Sequence, residues 1–140
     1  MVHTSVPTPR EPEIEVRLRD ALAAFPTVEL ALVFGSMVEG RQRFDSDVDV
    51  ALQGPKAFGV AERADIIAAL AAATGRAVDL IDLATVSEPL LGQVVRHGRR
   101  ILGGDDAHAR LISRHLFEEA DFMPYRRRIL AERRVAWIGT

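Results

Sequence analysis

The six residues 47–52 read DVDVAL, and their strict two-residue alternation suits a strand. On a strand, Asp47 and Asp49 leave the same face, while Val48, Val50 and Leu52 enter the core on the other. The elements around this strand must therefore bury its apolar side and leave two adjacent carboxylates outside.

The rest of the chain reads as an α/β domain. Residues 11–25 place Ile14, Leu18, Leu22 and Phe25 at helical spacing, with Pro12 in the first turn and Pro26 beyond the end. Residues 28–34 (VELALVF) are a short apolar run closed by Gly35, as in a buried strand. Gly54-Pro55 breaks the chain before an alanine-rich helix over 60–73, with Ile66, Ile67 and Leu70 inward and Gly75 as its stop. Residues 77–83 (AVDLIDL) predict a third strand. Ser87-Glu88-Pro89 opens a short helix over 90–97, Gly98 ends it, and 99–102 is a short extended piece. From Asp105 onward the pattern is helical, with an apolar stripe of Ile112, Leu116, Ala120 and Met123. Pro124 should kink that helix or open a new one, because it removes a backbone donor. The expected fold is a small mixed sheet flanked by helices with a C-terminal helical tail. It divides into an N-terminal arm at 1–10, a core at 11–104 and a helical extension at 105–140.

Composition narrows the function classes. The 140 residues suit one domain, and no apolar run approaches the roughly 20 residues of a membrane span. The first ten residues do not read as a signal peptide. With no cysteine there are no disulfides or thiolate metal sites, which suits the cytoplasm. A net charge of −2 is no polyanion-binding signature, so direct nucleic-acid binding is not expected. Lys56 is the only lysine; the arginines suit carboxylate and phosphate contacts, or reflect a biased composition. His108 and His115 lie about two helical turns apart, too weak a pair for a metal site, and read as surface residues.

The chemistry concentrates in 33–52, VFGSMVEGRQRFDSDVDVAL. Gly35 lets the backbone bend sharply and approach a ligand closely. A helix beginning at Ser36 would aim free N–H groups at a phosphate, and its hydroxyl adds a donor. Ionised, Asp47 and Asp49 repel each other, a costly arrangement without a cation. Magnesium is the natural partner for hard oxygen ligands that also bind a triphosphate. A two-metal site needs a third acid. Asp79, inside an apolar strand, is the candidate; Asp82 points to the opposite face. Gly-Ser and Asp-x-Asp are each common, but all four residues at these offsets should arise by chance in about one in a thousand such chains.

Gly35-Ser36, ten residues, then Asp47-Val48-Asp49 resembles the signature of the polymerase-beta nucleotidyltransferase superfamily. The length and the placing of Asp79 look like its smallest members, the minimal nucleotidyltransferase (MNT) domains. The similarity extends through 78–83 and 95–102, and loosely to Pro124-Tyr125-Arg126, which looks like the helical tail of MNT antitoxins. The resemblance implies an adenylyltransferase with ATP as substrate and two magnesium ions. Asp47, Asp49 and Asp79 would be its catalytic and metal-binding residues, and Gly35, Ser36, Arg43 and Ser46 would bind nucleotide. It also implies a partner, a HEPN ribonuclease toxin that receives AMP on a tyrosine. Two positions depart from the family pattern. Glu39 stands where an arginine is frequent, with Arg41 and Arg43 able to supply the charge, and His97 replaces a frequent acid.

Three alternatives follow. One is a nucleotidyltransferase with another acceptor, which in so short a chain must come from a partner surface. The second is an antitoxin acting by occlusion alone, with Arg126, Arg127, Arg128, Arg133 and Arg134 beside Ile129, Leu130, Trp137 and Ile138 as its interface. The third, a nuclease built on Arg110 and His115, conflicts with three predicted strands.

Overall fold

The computed structural model describes the backbone of residues 11–34 and 47–138, and side chains for 13–34 and 47–121. Its elements run α1 (Glu11–Leu22), β1 (Leu30–Phe34), β2 (Val48–Gln53), α2 (Val60–Thr74), β3 (Val78–Asp82), α3 (Leu90–His97), β4 (Arg99–Leu102) and α4 (Asp105–Ile138). The strands form one mixed sheet in the order β3-β2-β1-β4. β1 pairs antiparallel with β2 and β4, whereas β2 and β3 are parallel and need the crossover that α2 provides.

Each face of the sheet has its own core. On one face Ala31, Val33, Val48, Val50, Leu52, Leu80 and Ile101 meet Ile14, Leu18 and Leu22 of α1 and Ile66 and Leu70 of α2. These are the spacings expected of the two amphipathic helices and the alternating strand. On the other face Leu30, Leu32 and Ala51 meet Leu91 and Val94 of α3 and Leu111 of α4. The side chains of Leu18, Leu52, Ile66 and Leu70 are fully buried, each contributing about 1.5–3 kcal/mol relative to exposure. α2 stops at Gly75, whose φ of 68° is the left-handed conformation a helix end favours in glycine.

The extended piece at 99–102 is a fourth strand, paired with β1 across an irregularity that leaves Ile101 opposite no residue. Arg19 of α1 donates to its carbonyl at 2.8 Å. At the other edge Arg63 of α2 donates to Leu80 O at 2.5 Å, and beyond β3 Arg114 of α4 bonds the carbonyls of Leu83 and Val86. Part of the arginine content thus holds backbone carbonyls at the margins of the sheet, Arg114 also pairing with Glu118 at 3.5 Å.

In the helical tail α4 continues through Pro124, so of the two outcomes expected there no new helix opens. The apolar stripe does not face inward: Ile112 and Leu116 are exposed at 36% and 58%, and Leu111 and His115 are buried instead. The buried side carries polar groups that find partners. His115 Nδ1 bonds Glu88, whose other oxygen accepts the Gly92 N–H, so His115 is not the surface residue expected.

Candidate active site

Pairing register brings the acids together. Phe34 of β1 lies opposite Asp49 of β2, and Asp49 lies beside Asp79 of β3, giving one row across three strands. One step along the strands, the next row on this face is Leu32, Ala51 and Ile81. Those side chains belong to the core that α3 covers; in the acidic row Phe34 still packs against it, and exposure rises toward Asp79. Asp47, two residues before Asp49, and Asp79 are exposed; Asp49 is half-buried.

The electrostatics follow from this placement. Burial raises the Asp49 carboxyl above its ordinary value, and the charges of Asp79 and then Asp47 push it further in the same direction. Among the described residues no three His, Cys, Asp or Glu side chains are gathered closely enough to hold a metal ion. The donor set is nonetheless one of hard carboxylate oxygens that interact unfavourably with one another, which suits a hard divalent cation.

Asp82 is excluded from this group by its own bonds. It is 6% exposed and its carboxylate accepts from the N–H groups of Phe58 and Ala84, tying the chain after β2 to the end of β3. His97 is exposed on the last turn of α3. Gly35, Ser36, Glu39, Arg41, Arg43 and Ser46 lie outside the described residues. So do the side chains of the arginine-rich stretch at 126–138. A cleft of about 280 Å³, lined in part by Glu29, Gln53, Arg110 and Arg114, belongs to the other end of β1 and β2. Sequence reasoning missed Phe34 as the aromatic neighbour of Asp49, and residue 34 differed from other apolar positions only in preceding Gly35.

A four-stranded mixed sheet with helices on both faces, with Asp49 on a central strand, Asp47 just before that strand and Asp79 beside Asp49, is the architecture of a nucleotidyltransferase-type α/β domain. Residues 17–107 match the family model "Polymerase beta, Nucleotidyltransferase", and the chain belongs to that family. It is 35% identical over 86 residues to the protein adenylyltransferase MntA of Shewanella oneidensis, a match spanning 61% of this chain and 60% of that protein. Among solved structures, a toxin–antitoxin with AMP-PNP superposes with a TM-score of 0.76 at 26% identity, covering 84% of this chain and 96% of that one. The tri-AMPylated S. oneidensis HEPN toxin in complex with MNT antitoxin gives 0.72 at 23% identity, covering 87% and 97%, a likeness of fold. Among the described residues no helix is long and apolar enough to cross a membrane.

Proposed function

We propose that this chain is a magnesium-dependent adenylyltransferase acting as an antitoxin, which transfers AMP from ATP to a tyrosine of a partner HEPN ribonuclease toxin. The observation that carries the reading is the register that sets Asp49 beside Asp79, with Asp47 two residues earlier at the open end of the same strand. The similarity to MntA and to a toxin–antitoxin with AMP-PNP supports the nucleotide and the kind of partner. The cytoplasm, which holds ATP, is the compartment this reading requires.

In the transfer, the acceptor oxygen forms a bond to the α-phosphorus, the bond from that phosphorus to the bridging oxygen breaks, and pyrophosphate leaves. Two magnesium ions, held by Asp47, Asp49 and Asp79, would neutralise the triphosphate and make the acceptor hydroxyl more acidic. Asp79, exposed on β3, would take the hydroxyl proton. Gly35 and Ser36 would hold the β- and γ-phosphates, with Arg43 and Ser46 completing the nucleotide contacts. The chain's contribution is positioning and charge neutralisation, as in phosphoryl transfer generally.

A second reading, inhibition by binding alone, is favoured by a different observation. Leu116 and Phe117 of α4 are 58% and 74% exposed beside Ile112, an apolar surface suited to a protein partner. One experiment separates the two. The chain is co-purified with the protein encoded beside it, and both are weighed after incubation with ATP and magnesium, with ATP and EDTA, and with neither. A mass gain on the partner only with ATP and magnesium is expected. Stable association with no mass gain would leave occlusion as the function.

A further inference from the structure

The acids are not equally well held. Asp49 belongs to β2, which is bonded to β1 on one side and β3 on the other, and Asp47 directly precedes it. Asp79 belongs to β3, which among the described residues is an edge strand with a neighbour on one side only. Val48 N–H donates to Ala77 O and Leu83 N–H to Leu52 O. In a parallel pair this turns the backbone groups of 77, 79, 81 and 83 toward β2 and those of 78, 80 and 82 toward the open edge. Leu80 O, the outward carbonyl next to Asp79, is the group that Arg63 takes at 2.5 Å.

Arg63 is mounted to act as a tether. It lies in the first turns of α2, where its own N–H donates to Gly59 O at 2.9 Å, and α2 is fixed by the fully buried Ile66 and Leu70. The Leu80 side chain is 2% exposed in the core that α2 covers, so this residue is held by side chain and carbonyl together. We propose that Arg63 is a positioning residue for Asp79: its grip on the Leu80 carbonyl supplies, at the open edge of β3, the lateral support that a second neighbouring strand would give. This rests on the adenylyltransferase reading of the site, in which Asp79 must meet the same ions as Asp49.

A displacement on the order of 1 Å from productive geometry can lower a rate about a hundredfold. Loss of the tether should therefore appear in kcat, with the nucleotide contacts made elsewhere left intact. The test compares wild type, Arg63→Gln and Arg63→Lys in AMP transfer to the co-purified partner protein, with amide hydrogen exchange on the same samples. For Arg63→Gln, kcat should fall at least about tenfold while KM for ATP changes less than about twofold. Arg63→Lys, which keeps a long cationic donor where the shorter Gln amide falls back, should recover part of the loss. Amides of 79 and 81, which face β2, should exchange faster in Arg63→Gln, with those of 49 and 51, which face β1, unchanged. An unchanged kcat with the fold intact, a rise in KM alone, or equal exchange at 79 and 81 would overturn the proposal. So would a loss explained by faster exchange throughout the core. If wild type transfers no AMP, the functional reading falls and with it the catalytic role of the tether.

Discussion

Replacing Asp49 with Asn should make the metal-free protein more stable while abolishing AMP transfer. The Asp49 carboxyl is raised by burial and by Asp79 and Asp47, so folding disfavours its charged form. For a group raised in the folded state, its contribution to stability is fully present below the unfolded value of about 4 and is lost as pH rises through the folded value. At neutral pH the ion-free protein therefore carries the whole penalty. Like charges on paired strands cost up to about 1 kcal/mol, and solvent screens both exposed neighbours, so about 0.5–1 kcal/mol is the expected gain. With an unfolding entropy of about 2.1 cal/mol/K per residue, a chain of this length gains about 2–3 °C in Tm. The assay is thermal unfolding in EDTA at pH 7 and low salt, repeated near pH 4 and with excess magnesium. The difference should shrink on acidification. With magnesium the order should reverse, as the ion stabilises wild type and loses a ligand in the variant. A metal-free Asp49→Asn protein less stable than wild type would refute the reasoning.

Asp47→Asn should lower AMP transfer to below about 1% of wild type with an unchanged circular dichroism spectrum, since Asp47 is an exposed side chain outside the core. Retained activity would remove it from the site. Gly92→Ala should destabilise by about 1–3 kcal/mol, read in denaturant unfolding, because its Cβ would lie 2.8 Å from His115 Cε1 and 2.9 Å from Glu88 Oε2. Leu116→Glu should leave Tm within about 2 °C, being 58% exposed, yet weaken co-purification with the partner at least about tenfold if α4 is the docking surface.

The legible part of this fold is the part held together by apolar periodicity. Ile14, Leu18 and Leu22, then Val48, Val50 and Leu52, then Ile66 and Leu70 meet where their spacings place them. In α4 the helix is legible but its inward side is not, because that side is not its most apolar one. Arg114 is turned in to bond Leu83 and Val86, and His115 to bond Glu88, partners 27 or more residues away. Hydrophobic periodicity cannot register a polar side chain whose partner is tertiary. Alternation likewise assigns Asp49 and Asp79 to faces, but their adjacency comes from the parallel register, which no local pattern encodes.

The end of α3 lies near the point at which the apolar part of the sheet face gives way to the acidic row. Leu91 and Val94 seal the face at the level of Leu30, Leu32 and Ala51. The helix then stops at His97, and the chain passes through Gly98 into β4, whose Arg99 pairs with Val33. Gly98 lies so close to the preceding helix and the sheet that a Cβ would fall 2.4 Å from Val94 O and 3.4 Å from Leu32 Cβ. With no room for a side chain, the turn is tight; beyond the Leu32 row Phe34 still packs against this core, while Asp49 is half-buried and Asp79 exposed. Enclosing these carboxylates without a counter-charge would cost several kcal/mol per ion. The turn at Gly98 thus lies where the apolar part of this face gives way to its acidic row.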